Sequence, residues 1–225
     1  MKKVAVLLSG CGVYDGSEIQ EAVFSLLAIA ENGGSYHCFA PNISQYHVIN
    51  HLTGEEMKES RNALTEAARI ARGEIKDLAQ FNATDFDALV IPGGFGAAKN
   101  LTQWAFKGPD GEIHPEVQRC IREMVASKKP IAALCMGPTV VAKALQGTEH
   151  HPSLSVGTTT EKSPYDIAAI SSGIEATGAT AVMKSIRELE IDTQYRIISA
   201  PCYMMEASII EVKRNIDQAI AELLK

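Results

Sequence analysis

Short apolar runs alternate with longer segments of helical period along most of this chain. Lys3–Ser9 is β-branched and leucine-rich and runs into glycines, as a strand buried on both faces does. Ser17–Glu31 then carries Ile19, Val23, Leu26, Leu27 and Ala30 at helical spacing, with Ser17 and Gln20 placed for a capping box. Tyr36–Ala40 reads as a second strand stopped by Pro41-Asn42, and Ser60–Arg72 as a polar-faced helix closed by Gly73. Asp87–Pro92 is a further buried strand that ends on Gly93-Gly94. His114–Ala126 is helical, with Pro115 suited to its first turn and Val117, Ile121, Met124 and Val125 turned inward. Pro130–Leu134 is a short strand meeting Cys135, and Gly137-Pro138 opens a helix through Leu145. Glu188–Ala200 suggests a hairpin about Asp192–Gln194, and Glu206–Leu224 closes the chain as an amphipathic helix.

Strands alternating with helices predict an α/β fold: a doubly wound, mostly parallel sheet with helices on both faces, a flavodoxin-like three-layer sandwich. No linker, repeat or low-complexity tract interrupts the pattern, so residues 1–225 are expected to form a single domain. In such sheets ligands collect at the carboxyl ends of the strands, where the strand order switches. Four unusual segments fall at strand ends here: Gly10–Gly16, Gly93–Gly96, Cys135–Pro138 and Pro201–Met204.

Composition narrows the function. With 225 residues, 46% hydrophobic and 21% charged, the chain has ordinary globular composition and enough length for a substantial core. Its 27 acidic side chains outnumber 21 basic ones, a sign that disfavours nucleic acid as a partner. The apolar run Val4–Leu8 is too short for a secretion signal, and no stretch approaches the roughly 18–20 apolar residues that span a bilayer. Five cysteines without a C-x-x-C pair point to a reducing compartment, so a cytoplasmic location is expected.

Cys135 is the leading chemical candidate. A strand, one cysteine, glycine-proline and a helix form a sharp turn that projects the sulfur into the cleft beside helix-end N–H groups. The helix dipole favours thiolate, the nucleophilic form; the competing reading is a small buried hydrophobe at a crossover. Glu18 is either a first-turn acid stabilising its helix or, since the first strand opens onto the same cleft, a proton carrier for the thiol or substrate. A buried carboxyl there would have a raised pKa. The glycines of Pro92–Gly96 allow N–H groups to approach a developing oxyanion, or merely end a strand tightly. His47 with His51, and His150-His151, lack a carboxylate or thiol at ligand spacing, so no metal is expected. Cys11, Cys38, Cys120 and Cys202 default to core or loop, although Cys11 and Cys202 lie near the proposed cleft.

The stretches LLSGCGVYDGSEIQEAV, VINHLTGEEMKESRNALTEAARIARGEI, DALVIPGGFGAAKNL, PIAALCMGP and APCYM together resemble the ThiJ/PfpI superfamily, the class I glutamine amidotransferase-like fold. They are most similar to its ElbB-like branch, named for enhancing lycopene biosynthesis and also called sigma cross-reacting protein. The resemblance implies that Cys135 is the elbow cysteine and Glu18 its acidic partner. It also implies that Gly93, Gly94 and the N–H of Met136 form the oxyanion- or substrate-binding positions. It implies glyoxalase-type conversion of small 2-oxoaldehydes to 2-hydroxy acids, without cofactor, and a homodimer. Met136 stands where superfamily proteases place histidine, the late H-x-E of amidotransferases is missing, and Val156–Thr160 occupies a stretch where several glyoxalases carry histidine. Protease and amidotransferase activity are therefore not expected. The alternative to an enzyme of small carbonyl compounds is a redox-sensing protein whose Cys135 is oxidised to a sulfinate beside protonated Glu18. The branch's name alone links it to isoprenoids, and no D-D-x-x-D or basic diphosphate clamp is present.

Overall fold

A computed structural model describes residues 1–225. In chain order its elements are β1 (Lys3–Leu7), α1 (Ile19–Glu31), β2 (Ser35–Ala40), α2 (Ala63–Ile70), β3 (Ile75–Asp77), β4 (Ala88–Ile91), α3 (Trp104–Lys107) and α4 (Pro115–Ala126). There follow β5 (Ile131–Leu134), α5 (Gly137–Leu145), β6 (Ser153–Leu154), α6 (Ile167–Ala176), β7 (Thr180–Ala181), β8 (Glu190–Asp192), β9 (Ile197–Ala200) and α7 (Ile209–Leu223).

Seven strands form one sheet in the order β3-β2-β1-β4-β5-β9-β8. All neighbours run parallel except β8, which pairs antiparallel with β9 as the predicted hairpin. Every residue of β4, β5 and β9 is buried, which is why these segments read as unbroken apolar runs. Helix α1 packs on α7 and α4 on α5; α7 and α5 both lie against β5, so the two pairs cover opposite faces. Successive connections build outward from β1 in both directions, and the order reverses between β1 and β4. Beside the sheet, β6 and β7 make a small separate parallel pair. No helix is long and apolar enough to cross a membrane.

One local expectation is corrected. The box between Ser17 and Gln20 does not form: α1 starts at Ile19, and Glu18 is its N-cap. Ser17 is instead buried, with its Oγ accepting the Ser9 N–H at 2.9 Å, which ties the end of β1 to the helix start. Of the apolar positions at helical spacing in α1, Leu26 is buried, whereas Ile19, Val23 and Leu27 are each more than 40% exposed. Glu21, Ala22, Ser25 and Ile29 take the inner face.

Candidate active site

The carboxyl ends of β1, β4, β5 and β9 meet at the switch in strand order, and Cys135 stands among them. It follows β5 directly, and its N–H donates to the Ala200 carbonyl at 2.9 Å, prolonging the β5–β9 ladder by one bond. Its φ of 55° is in the left-handed region, which turns the chain sharply into α5 and leaves the side chain aimed past the strand ends. Three groups face the thiol and act on its electrostatics: the N–H groups of Gly94 and Met136, and the carboxyl of Glu21. The cysteine is only 4% exposed.

Glu21 is fully buried in the first turn of α1. Its Oε2 accepts the Gly93 N–H at 2.9 Å, and its Oε1 accepts the Tyr203 N–H at 3.2 Å, so one carboxyl joins the ends of β4 and β9 to the cysteine. A Cβ at position 93 would lie 2.4 Å from Cys135 Cβ and 2.7 Å from both Sγ and Glu21 Oε2, so no side chain fits there. Gly94 has φ of 93°, and a Cβ on it would lie 2.3 Å from the Glu18 nitrogen.

Electrostatics follow from this burial. Loss of solvent, reinforced by the Glu18 charge, pushes the Glu21 carboxyl up to about 8, against the two N–H groups it accepts. Burial and the neighbouring Glu21 likewise hold the Cys135 thiol well above its ordinary value. The N–H groups of Gly94 and Met136 pull the other way and do not win. The helix-dipole expectation of a lowered thiol pKa is thus corrected: near neutral pH both groups keep their protons, because removing water costs more than one helix terminus returns.

The expected pairing of Cys135 with Glu18 is corrected in the same way. The carboxyl that faces the sulfur is that of Glu21. Because α1 begins at Ile19, Glu18 is engaged in capping, its Oε2 accepting the Glu21 N–H at 2.6 Å. Glu18 nonetheless lines the same cavity as Cys135, half-buried, and burial raises its pKa despite the capping bonds.

That cavity has a volume of about 320 Å³. Cys135, Met136, Gly94 and Glu18 form its inner end. Phe95 and Tyr165, in edge contact at 5.9 Å between ring centroids, flank it. Burial and the Cys135 thiolate it would face push the Tyr165 hydroxyl up to about 12, so it is a neutral donor.

Asn100 supports the whole arrangement from a π-helical turn at Ala97–Leu101: its Nδ2 donates to the carbonyls of Ser9 and Asp15, each at 2.8 Å, and its Oδ1 accepts the Tyr46 N–H at 2.9 Å. One side chain therefore holds the glycine-rich loop after β1 in place.

The remaining candidates fall elsewhere. Cys202 is fully buried beside the β5–β9 junction, and its own N–H donates to the Asn215 Oδ1 at 3.0 Å. Cys38 and Cys120 belong to the core, and Cys11 is half-buried in its loop. His51 lies outside the cavity, its Nε2 accepting the Tyr14 N–H at 3.2 Å; the His150 ring is tilted against that of Tyr195, and His151 contacts the Gly178 carbonyl. Glu21, Tyr165 and Asn100 are not among the residues expected from sequence. Glu21 does carry a signal there: it lies three residues beyond Glu18, in phase with small residues at Ala22 and Ser25.

The family model described as the DJ-1/PfpI family matches residues 13–156. Over 227 aligned residues the chain is 41% identical to a Rattus norvegicus protein named ES1 protein homolog, mitochondrial, covering 99% of this chain and 83% of that one. It is 40% identical to a Homo sapiens protein named glutamine amidotransferase-like class 1 domain-containing protein 3, mitochondrial, covering 99% and 82%. Among solved structures, the Ehrlichia chaffeensis isoprenoid biosynthesis protein with amidotransferase-like domain superposes with a TM-score of 0.87 at 36% identity, covering 98% of each chain. The expectation of a cytoplasmic location is overturned by the mitochondrial names of the rat and human relatives. Free thiols indicate a reducing compartment, and the cytoplasm is not the only one.

Proposed function

The chain belongs to the DJ-1/PfpI family, which includes glyoxalase-like members, and we propose that it is a cofactor-independent enzyme of that kind, converting 2-oxoaldehydes such as methylglyoxal to 2-hydroxy acids. The observation that carries this reading is the Cys135 thiol held between the Glu21 carboxyl and two convergent N–H groups at the end of an apolar cavity.

In this reading Sγ adds to the aldehyde carbon, forming the C–S bond while the carbonyl electron pair moves onto oxygen. The N–H groups of Gly94 and Met136 hold that oxyanion. Ionised Glu21 takes the thiol proton and returns it to the oxygen, giving a hemithioacetal. Glu18, on the cavity wall, removes the hydrogen of the aldehyde carbon as a proton and delivers it to the adjacent carbon, while the hydroxyl proton passes to the second oxygen, so that one carbon is oxidised and its neighbour reduced. The resulting thioester is hydrolysed by water to the hydroxy acid and free thiol. Tyr165 donates to the substrate's second oxygen, a role for which the cavity lining offers no histidine.

The test is lactate formation from methylglyoxal by purified protein, alongside Cys135→Ala, Glu18→Gln and Glu21→Gln. Retention of the wild-type rate by any of the three removes the role assigned to that residue. Protease activity is not proposed, since Met136 takes the place of a histidine next to the nucleophile.

A second reading is favoured by the raised pKa of Glu21. A neutral carboxylic acid facing Cys135 could donate to a sulfinate formed there by peroxide, which would make the site a redox sensor. Mass spectrometry after mild peroxide distinguishes it: oxidation of another cysteine before Cys135 sinks this alternative. A prenyl diphosphate is a poor ligand for the cavity, which has no cationic side chain in its lining.

A further inference from the structure

The cavity has two chemically different ends. All its reactive groups sit at the strand termini, whereas the far wall is built by α3, the turn after it and α6, contributing Trp104, Pro109, Ala169, Ile170 and Gly173. No lysine, arginine or histidine is among the lining residues, and the one charged side chain is the acid Glu18. Gly173 fixes the size of the far end: a Cβ there would lie 2.9 Å from the edge of the Trp104 indole, so the missing side chain is what lets the indole lie back against α6. Trp104 itself is almost wholly buried.

These features conflict with methylglyoxal as the best substrate. A cavity of about 320 Å³ falls at the lower end of the range of ligand sites, roughly 300–1,000 Å³. A molecule with so few non-hydrogen atoms would touch only the reactive end and leave the apolar wall without contacts. A carboxylate or phosphate on the substrate would find no counter-charge and would face Glu18 in a site of low polarity.

We infer that the site takes neutral 2-oxoaldehydes with an aromatic or comparably bulky apolar tail, in preference to methylglyoxal and to any substrate bearing a carboxylate or phosphate. This rests on the glyoxalase reading for the reaction, but the preference for a neutral apolar ligand depends on the cavity alone.

Two measurements separate those dependencies. Turnover of phenylglyoxal to mandelate is compared with methylglyoxal to lactate, using Cys135→Ala as background. Binding of acetophenone is compared with that of benzoylformate, which differs by its carboxylate, through the emission of Trp104, the chain's sole tryptophan. The expected results are kcat/KM at least tenfold higher for phenylglyoxal and a Kd at least tenfold lower for acetophenone. Ile170→Lys, at a half-buried position on the wall, is expected to reverse the binding preference. Equal kcat/KM for the two aldehydes, or benzoylformate binding as tightly as acetophenone, overturns the inference and leaves the glyoxalase reading intact. If neither aldehyde is turned over, the glyoxalase reading falls, and the binding comparison alone decides the ligand class.

Discussion

Cys135 and Glu21 face each other in the interior across Gly93, one at the end of the fifth strand and the other inside the first helix. Burial raises the pKa of both; the Glu21 charge adds to the rise at the thiol, whereas Cys135 pulls the Glu21 carboxyl slightly back down. The resting site near neutral pH is thus uncharged at the sulfur, and ionisation of Glu21 is the step that arms it.

The rate is therefore expected to climb with pH and level off above about 8, as Glu21 becomes able to accept the thiol proton. Glu21→Gln is expected to remove this dependence and lower kcat/KM by about 100-fold or more, in keeping with the usual contribution of a positioned base. A pH–rate profile that is flat between 6 and 9 in the wild type would contradict the assignment.

Stability is expected to move the opposite way. The folded-state pKa of Glu21 lies above that of an exposed carboxyl, so the folded protein holds a proton that the unfolded chain releases. This contribution is fully present below about 4.5 and is lost as pH rises through about 8, at up to about 1.4 kcal/mol per pH unit within that window. Denaturant unfolding from pH 5 to 9 should show the wild type losing stability relative to Glu21→Gln. Parallel curves would show that the carboxyl is already ionised at neutral pH.

Tyr165→Phe removes the hydroxyl proposed to steady the substrate while keeping the ring that packs on Phe95. We expect kcat/KM to fall about tenfold, the worth of one hydrogen bond of about 1.4 kcal/mol, with the melting temperature unchanged. An unaltered rate would place the hydroxyl outside the chemistry.

Asn100→Ala deletes two buried hydrogen bonds that seat the loop after β1 and a third, half-buried, to the Tyr46 N–H. A loss of about 2–4 kcal/mol is expected, because two carbonyls and one N–H lose their partner. Accelerated proteolysis in the 10–16 segment would accompany it, and an unchanged midpoint in urea would refute the supporting role.

Much of this architecture is legible in the chain because buried parallel strands are short unbroken apolar runs and glycines mark their ends. Cys135 stands out in the sequence because a lone cysteine between an apolar strand and Gly137-Pro138 sits where a nucleophile turn would place it. The carboxyl partner reads one helical turn too early: positions 18 and 21 differ only in where the helix starts, and Ser17 offers a false cap. The outward stripe of Ile19, Val23 and Leu27 misleads for a related reason, since apolar spacing normally marks the inner face, whereas here the inner face carries the glutamate that the cysteine contacts. Helix α6, interrupted by Ser171, Ser172 and Gly173, has too weak a period to stand out, although it forms the far wall of the cavity. Asn100 and Tyr165 acquire meaning only from contacts distant in sequence.

The left-handed backbone at Cys135 bears on anyone who would engineer this molecule. A side chain held at that angle stores roughly 1–3 kcal/mol that glycine would release. Screening for heat tolerance alone would therefore favour Cys135→Gly, and the hardiest descendants would be inert. Activity has to be selected together with robustness, or the proposed nucleophile will be among the first residues discarded.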